Sequence, residues 1–541
     1  MMKKRSLTIL LAGMLLIGVV AISGCTDSTT EAASAEGIGT DELIAAVGTH
    51  GGEPESGFDP VTGWGYNHEP LIQSTLFKKN GNAALINDLA TDYSVSEDGS
   101  TWTVTIRDDV RFHDGVPLTT EDIAFTFNTA ANAGGSVDLS MLEKATAIDN
   151  ATVEFKLNDN QATFINKLAV IGIVPEHAYD ENYGQNPVGS GPYEFVQWDK
   201  GQQVILEANS DYYGDEPYFK KLTIVFMEAD TAFAAAKSGQ IDIAEIPSSY
   251  ADQEVDGMKI IALDSIDARG ISFPVQPNTG EKSEDGYPIG NDVTSDVAIR
   301  KALNIGIDRQ TLVDGALNGQ GEEEFTGVDK LPWGNKEAII EDGNIEEAKK
   351  ILSDAGWEDT DGDGIVEKDG IIAEFTLLYA ASAQERQALA VAVSEEAKEL
   401  GINIIPEGAS WDKIDTLALS KPVVFGYGSL DPTDLYLKYY SESYDPSSYN
   451  NIIKYNNPVV DAYLRTAITS SDQNTANENW QLAAWDGETG FSSQGDATWM
   501  WMATIDYLYI MDEDLDIGTP KIQPHGADIF GNILEWKRTE N

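Results

Sequence analysis

A single cysteine, Cys25, stands in this chain of 541 residues. Beyond it nothing can be cross-linked by a disulfide or pinned by a thiolate-bound metal, so packing alone must hold the fold. Its position also carries meaning. Lys3, Lys4 and Arg5 precede a largely apolar run of sixteen residues from Leu7 to Ile22, and Ser23-Gly24-Cys25 follows. A basic start, a run of that length and small residues before a cysteine are the layout of a lipoprotein export signal. The run falls short of the roughly 20 residues that span a bilayer. The expectation is cleavage before Cys25, a lipid on its thiol, and a protein anchored to the outer face of the cytoplasmic membrane. An uncleaved membrane anchor is the alternative, and it too leaves the bulk of the chain outside.

About 515 residues remain, enough for two to four domains at roughly 150 residues each. Hydrophobic residues make up 42% of the chain, which is the composition of a folded protein rather than of a disordered tail. Ninety acidic residues against 35 basic ones give a net charge of −55, spread along the chain. Such a surface repels nucleic acid and anionic headgroups, and high salt would screen its self-repulsion. The reading is adaptation to a saline medium, with nucleic acid excluded as a partner.

Residues 26–40 are small and polar and read as a flexible tether. Strands and helices then alternate. Trp102, Val104 and Ile106 alternate with threonines as in a half-buried strand, and Val153, Phe155 and Leu157 repeat that period as its candidate partner. Thr119 and Asp122 predict a capped helix start, as do Asn344 and Glu347. Leu389, Val393, Ala397 and Leu400 share one helical face; Gly401 ends that helix, and a strand from Ile402 follows. Helix, glycine, strand is the order of an α/β layer.

No Gly-x-Ser-x-Gly, His-Glu-x-x-His or phosphate-loop motif occurs, and none of the five histidines has another at metal-ligand spacing. His113 and His177, each beside a turn residue, read as structural. Asp359, Asp361 and Asp363 with Gly364 begin like a calcium loop, but position twelve holds Gly370 in place of an acid. Aspartate and glycine are equally turn formers between Trp357 and the next strand. Seven tyrosines after Lys421 (427, 436, 439, 440, 444, 449 and 455) are candidates to fill core or to line a cleft. Trp499 and Trp501 share a strand face and read as core.

Residues 101–125, TWTVTIRDDVRFHDGVPLTTEDIAF, resemble the signature of the extracellular solute-binding proteins, family 5, that feed peptide and nickel ABC importers. GFDP at 57–60, VGSGPYEF at 188–195, LEANSDYYG at 206–214, AIRKALNIGIDRQTLV at 298–313 and KKILSDAGWEDTDGDGI at 349–365 follow in family order. The resemblance implies a large type II, periplasmic-binding-protein-like α/β fold of two lobes joined by hinge strands. It implies lobe I from 41–75, 186–270 and 495–541, an extra subdomain at 76–185, and lobe II at 271–494. It further implies a monomer without cofactor or catalysis that hands ligand to membrane permease subunits, and through them serves cytoplasmic ATPases.

Peptide binders of the family place an aspartate three residues before an acidic-Pro pair, where it holds the ligand's amino group. Here that pair is Asp431-Pro432 and the position is Gly428, so the resemblance implies that this anchor is missing. Nickel-binding relatives also lack it. The residues expected around a ligand are Trp64, Tyr66, His68, Arg269, Tyr427 and Asp431, with His68 and His525 the candidates for a metal–chelate complex. A peptide is the first ligand reading, a nickel chelate the second, and a surface hydrolase or sensor on the same scaffold the third.

Overall fold

In a computed structural model the described residues run from 41 to 539, omitting 48–52, 55, 56, 67, 82, 446 and 447. Cys25, the export signal and the tether lie outside them. Among the described residues no helix is long and apolar enough to cross a membrane.

Three sheets organise the chain into two α/β lobes. The first sheet has seven strands, ordered Met258–Leu263, Tyr507–Asp512, Ile243–Ile246, Glu42–Val47, Lys221–Phe226, Gln203–Ala208, Tyr193–Asp199. Its centre is parallel, with Glu42–Val47 between Lys221–Phe226 and Ile243–Ile246. A strand buried on both faces needs apolar residues throughout, and Leu43, Ala45, Ala46 and Val47 supply them. The second sheet has six strands, ordered Gly321–Glu323, Trp499–Ile505, Ala268–Ser272, Val423–Tyr427, Glu374–Ala380, Asn403–Ala409. The alternating segments predicted to pair do so in a third, four-stranded sheet, with Trp102 opposite Phe155 and Val104 opposite Val153. Its buried face packs Phe127, Phe155 and Phe164 into a cluster of its own.

The predicted helices form as the spacing dictates. Helix Thr120–Ala133 starts on a reciprocal cap between Thr119 and Asp122 and stops at Gly134, where φ is 64°. Asn344 accepts the Glu347 amide to start Ile345–Asp354. In Gln384–Glu399 the side chains of Leu389, Val393 and Ala397 are fully buried, each large apolar one worth about 1.5–3 kcal/mol on transfer from water. Trp499 and Trp501 stack in the second sheet at 5.0 Å and are buried.

Two short crossovers pass between the first and second sheets, one from Leu263 to Ala268 and one from Ile505 to Tyr507. They are tied together: Ile505 N donates to Asp267 O at 3.0 Å and Ser265 Oγ to Ile505 O. A third segment runs alongside, where Ile266 N donates to Gln523 O at 2.9 Å. The lobes thus meet through a narrow, hydrogen-bonded waist, and the cleft opens beside it.

Candidate functional site

Gly428–Asp431 run on from strand Val423–Tyr427 and face the hairpin of Phe77–Lys79 and Leu85–Asn87 and the short helix Phe164–Leu168. Between these elements lies a cavity of about 260 Å³, whose walls also include Tyr66, His68, Glu69, Lys521, Pro524 and Asp528. Trp64 lines an adjoining apolar recess beyond the carboxyl ends of the parallel strands, with Val47 and Phe226, which is where open α/β sheets receive ligands. Its ring packs edge-on to His68 at 4.7 Å and to Phe58 at 4.9 Å.

Polar contacts bridge the cavity mouth. Lys167 Nζ lies 2.9 Å from Asp431 Oδ2, and Asn166 Nδ2 donates to Asp431 Oδ1 at 3.4 Å. Lys79 Nζ donates to the Leu430 carbonyl, and Thr433 Oγ1 donates to Thr163 Oγ1 at 2.7 Å. Further out, Ala162 N donates to Ile468 O at 2.8 Å, and Asn160 reaches the Thr469 carbonyl. Asp431 is therefore engaged across the cleft. Burial would raise its carboxyl, but Lys167, the Thr433 amide and Lys79 together hold it below the usual range. Lys79 is pushed down to about 8 by burial and by the neighbouring Lys167, against the pull of Asp431.

Deeper in, Glu69 lies 3.1 Å from Lys78 and also pairs with Lys521. Those two lysines outweigh its burial and keep its carboxyl low. Asp528 accepts the Glu69 amide at 3.2 Å and has no ion-pair partner among the described residues. Burial, and then the Glu69 charge, push it up to about 7. Burial lowers His68 to about 4, so its imidazole is neutral at physiological pH.

Arg269 is fully buried and pairs with Asp267, which also accepts from Tyr507 Oη at 2.6 Å and from His525 Nδ1 at 2.8 Å. Beside it sits a second guanidinium, Arg386, with Glu385 3.6 Å from Arg269 Nη2 and 3.8 Å from Arg386 Nε. Arg269 Nε and Nη2 and Arg386 Nε have no hydrogen-bond acceptor among the described groups. Burial and then Arg269 lower Arg386 to about 10. Gly426 makes room for both: a Cβ there would lie 2.6 Å from Arg269 Nη1 and 3.0 Å from Arg386 Nη2. Trp411, partly exposed, lies over Arg386 at 5.3 Å.

The strand that carries Gly426 has one open edge. It pairs along its length with Ala268–Ser272 but with Glu374–Ala380 at a single position, Leu378 to Val423. Asp267 O and Phe273 N bond toward the Trp499–Ile505 side, so by alternation Ala268, Gly270 and Ser272 bond to Tyr427, Phe425 and Val423. Val424 and Gly426 thus turn their amides and carbonyls to the other edge, where the one parallel pair takes the Val424 amide to Leu378, Arg386 Nη1 reaches Val424 O at 3.4 Å, and Gly426 has no strand partner among the described residues.

Of the residues singled out from sequence, Tyr66, His68 and Asp431 line the cavity and Trp64 the recess next to it. Tyr427 lies under Lys438, whose Nζ is 3.8 Å from the ring centre, and packs against Trp499 and Trp501. None of the seven tyrosines is in the cavity wall; Tyr439, Tyr440 and Tyr455 are buried in core. His525 sits at the waist, its side chain 37% exposed and its amide donated to Gly428 O at 2.8 Å. His113 and His177 are structural, hydrogen-bonded to Gly191 O and Asp114. Asp359, Asp361 and Asp363 are exposed and close together, but each accepts amides of its own loop, such as Gly362 N on Asp359 at 2.7 Å. A short hairpin of Glu367–Lys368 and Ile371–Ile372 follows that loop, where a calcium-binding pair would have its second helix.

Sequence reasoning missed Lys79, Lys167 and Arg386. The adjacent Lys78-Lys79 in so acidic a chain was a signal; Arg386 lay on a helix read only for its apolar face.

Two α/β lobes joined by paired crossovers around an inter-lobe cavity define a solute-binding protein. Residues 84–471 match the profile of bacterial extracellular solute-binding proteins, family 5 (middle), and the chain belongs to that family. It is 31% identical over 503 residues to Protein XP55 of Streptomyces lividans, spanning 90% of this chain and 88% of that protein. Against the oligopeptide-binding protein AppA of Bacillus subtilis it is 26% identical over 525 residues, spanning 89% and 91%. Its fold matches NikZ from Campylobacter jejuni in complex with Ni(L-His), with a TM-score of 0.76 at 24% identity over 93% of this chain and all of that one. It also matches the nonapeptide complex of Bacillus subtilis AppA, with a TM-score of 0.69 at 24% identity over 93% and 100%.

Proposed function

We propose that the protein is the lipid-anchored, cell-surface component of an ABC importer that captures peptides between its lobes and presents them to the permease. The observation that carries this is the open edge at Gly426, in the strand that leads into the cavity wall. An extended peptide adds to such an edge through main-chain bonds, independent of its side chains. The buried guanidiniums over Gly426 offer donors suited to a peptide carboxylate. The B. subtilis relative, an oligopeptide-binding protein aligned over nearly the whole chain, supports the same reading. Rotation of the lobes about the two crossovers would admit the ligand, and the contacts at Asp431 would hold the closed form that a permease recognises. Anchoring through Cys25 would keep the protein beside that permease.

One observation favours a nickel chelate as the second reading. Asp267 binds His525 Nδ1 at 2.8 Å, the arrangement that orients an imidazole toward a metal through its other nitrogen. Among the described residues, the metal-competent grouping of three is the Asp359 loop, so nickel would have to arrive with ligands of its own. Thermal-shift titration with di- to pentapeptides, and with nickel plus free histidine, separates the two. Stabilisation by peptides is expected. Stabilisation by nickel–histidine and by no peptide would overturn the first reading.

A further inference from the structure

The charges lining the cavity form an uneven ledger. Five carboxylates face it: Glu69, Asp138, Asp431, Asp434 and Asp528. Glu69 is held by Lys78 and Lys521. Asp431 takes Lys167 at 2.9 Å together with the Thr433 amide and hydroxyl, and Asp434 takes Lys438 at 2.8 Å. Asp528 receives the Glu69 amide and sits so deep that its charge is itself disfavoured. Asp138 is exposed at the rim and accepts the Ser140 amide at 2.8 Å. Among the described residues the one buried cavity carboxylate without an ion-pair partner is Asp528, whose charge burial disfavours, so a ligand ammonium group meets no fully ionised, unneutralised partner there. Gly428, three residues before Asp431-Pro432, has no room for a side chain. A Cβ there would lie 2.6 Å from Ile266 O, 2.9 Å from Asp267 Cα and 3.0 Å from His525 N.

The cations do not balance in the same way. Lys78 has Glu69 and, at 3.4 Å, Asp88, and Lys521 has Glu69. Lys79 and Lys167 share the single charge of Asp431, and Lys79 donates to a neutral carbonyl, that of Leu430. One positive charge at this end of the cavity is left without a counter-ion. Burial makes that surplus expensive, and a ligand carboxylate would relieve it.

Resting on the peptide reading above, we propose that the cleft does not select for a free amino terminus, that it takes N-blocked and acidic peptides, and that Lys79 receives a ligand carboxylate. The backbone edge at Gly426 supplies affinity without regard to the peptide's ends. The charge ledger then discriminates against cationic groups and in favour of anionic ones.

Calorimetric titration of the full chain with tri-, tetra- and penta-alanine tests this, each with and without one glutamate and each free or N-acetylated. Free and acetylated forms are expected to bind within about threefold of each other, and the glutamate peptides more tightly than the alanine ones. Lys79→Met should weaken the glutamate peptides about tenfold more than the alanine peptides, which lose only the mouth contact to Leu430, and Lys79→Arg should restore the preference. Circular dichroism establishes that both variants fold. If acetylation costs tenfold or more, or the glutamate preference survives Lys79→Met, the inference is overturned while the peptide reading stands. If no peptide binds and nickel–histidine does, the peptide reading itself has failed.

Discussion

Replacing Lys167 with methionine removes one charge-assisted bond from the cleft mouth and keeps the apolar stem. The Lys167 and Asp431 side chains are 14% and 16% exposed, between the screened surface and the dry interior. Exposed ion pairs contribute about 0.2–1 kcal/mol, and hydrogen bonds to charged groups in buried settings about 1.5–3 kcal/mol. At this burial, about 1.5 kcal/mol is a fair expectation. Asp431 would keep Thr433 and Lys79, and the Thr163–Thr433 and Ala162–Ile468 bonds would remain, so closure should weaken without being lost. A shift of about 1.5 kcal/mol toward the open form lowers apparent ligand affinity roughly tenfold wherever closure is needed for tight binding. Small-angle scattering should show a larger radius of gyration for the unliganded variant, and calorimetry a weaker Kd, with thermal unfolding nearly unchanged. An unaltered radius of gyration and Kd would refute the argument that this contact sets the balance between open and closed forms. Parallel losses of unfolding temperature and affinity would show instead that Lys167 supports the fold.

Other outcomes follow from the same geometry. Arg386→Ala should weaken peptides with a free carboxylate by one to two orders of magnitude, the range for a buried charged hydrogen-bond partner, and alter the fluorescence of the overlying Trp411; amidated peptides should lose less. Gly428→Ala should lower the urea midpoint by an amount corresponding to about 1–3 kcal/mol, since a Cβ has no room between Ile266 O and His525 N. Asp528 titrates higher in the folded chain, at about 7, than its ordinary 3.8. The native state thus binds the extra proton, and this residue's contribution to stability falls as pH rises between those values. Asp528→Asn should remove that fall and stabilise the protein above pH 7, as seen in urea midpoints against pH. His68 and His113 act with the opposite sign, each lowered to about 4, so their contribution is lost as pH drops below about 6.5. Millimolar calcium should leave the unfolding temperature unchanged if the Asp359 loop is a self-bonded turn.

Much of this molecule was legible as a string because its signals are local. A strand announces itself by alternation, a helix by its 3.6-residue face and its cap, and these survive without knowledge of neighbours. Hence the central pair of the four-stranded sheet, the helices starting at Thr120, Ile345 and Gln384, and the family signature were all readable. The resemblance also implied the gap at Gly428, counted from Asp431-Pro432 against the pattern of the family's peptide binders. The lone cysteine settled one thing more: no disulfide holds this fold.

Tertiary structure decided which side chains converge. Lys167 and Lys79 meet residues 264 and 351 positions away, and no periodicity encodes such a meeting. Asp431 read as a ligand group, yet folding brings it two lysines, and its charge is taken up across the cleft. Arg269 offered no sign of whether it was exposed or paired; a neighbouring strand with glycine at 426 buries it beside Arg386. The open edge at Gly426 likewise exists because Glu374–Ala380 diverges after one pair. Charge is written in the sequence, but whether a charge is free for a ligand depends on the partners and dielectric that the folded chain supplies.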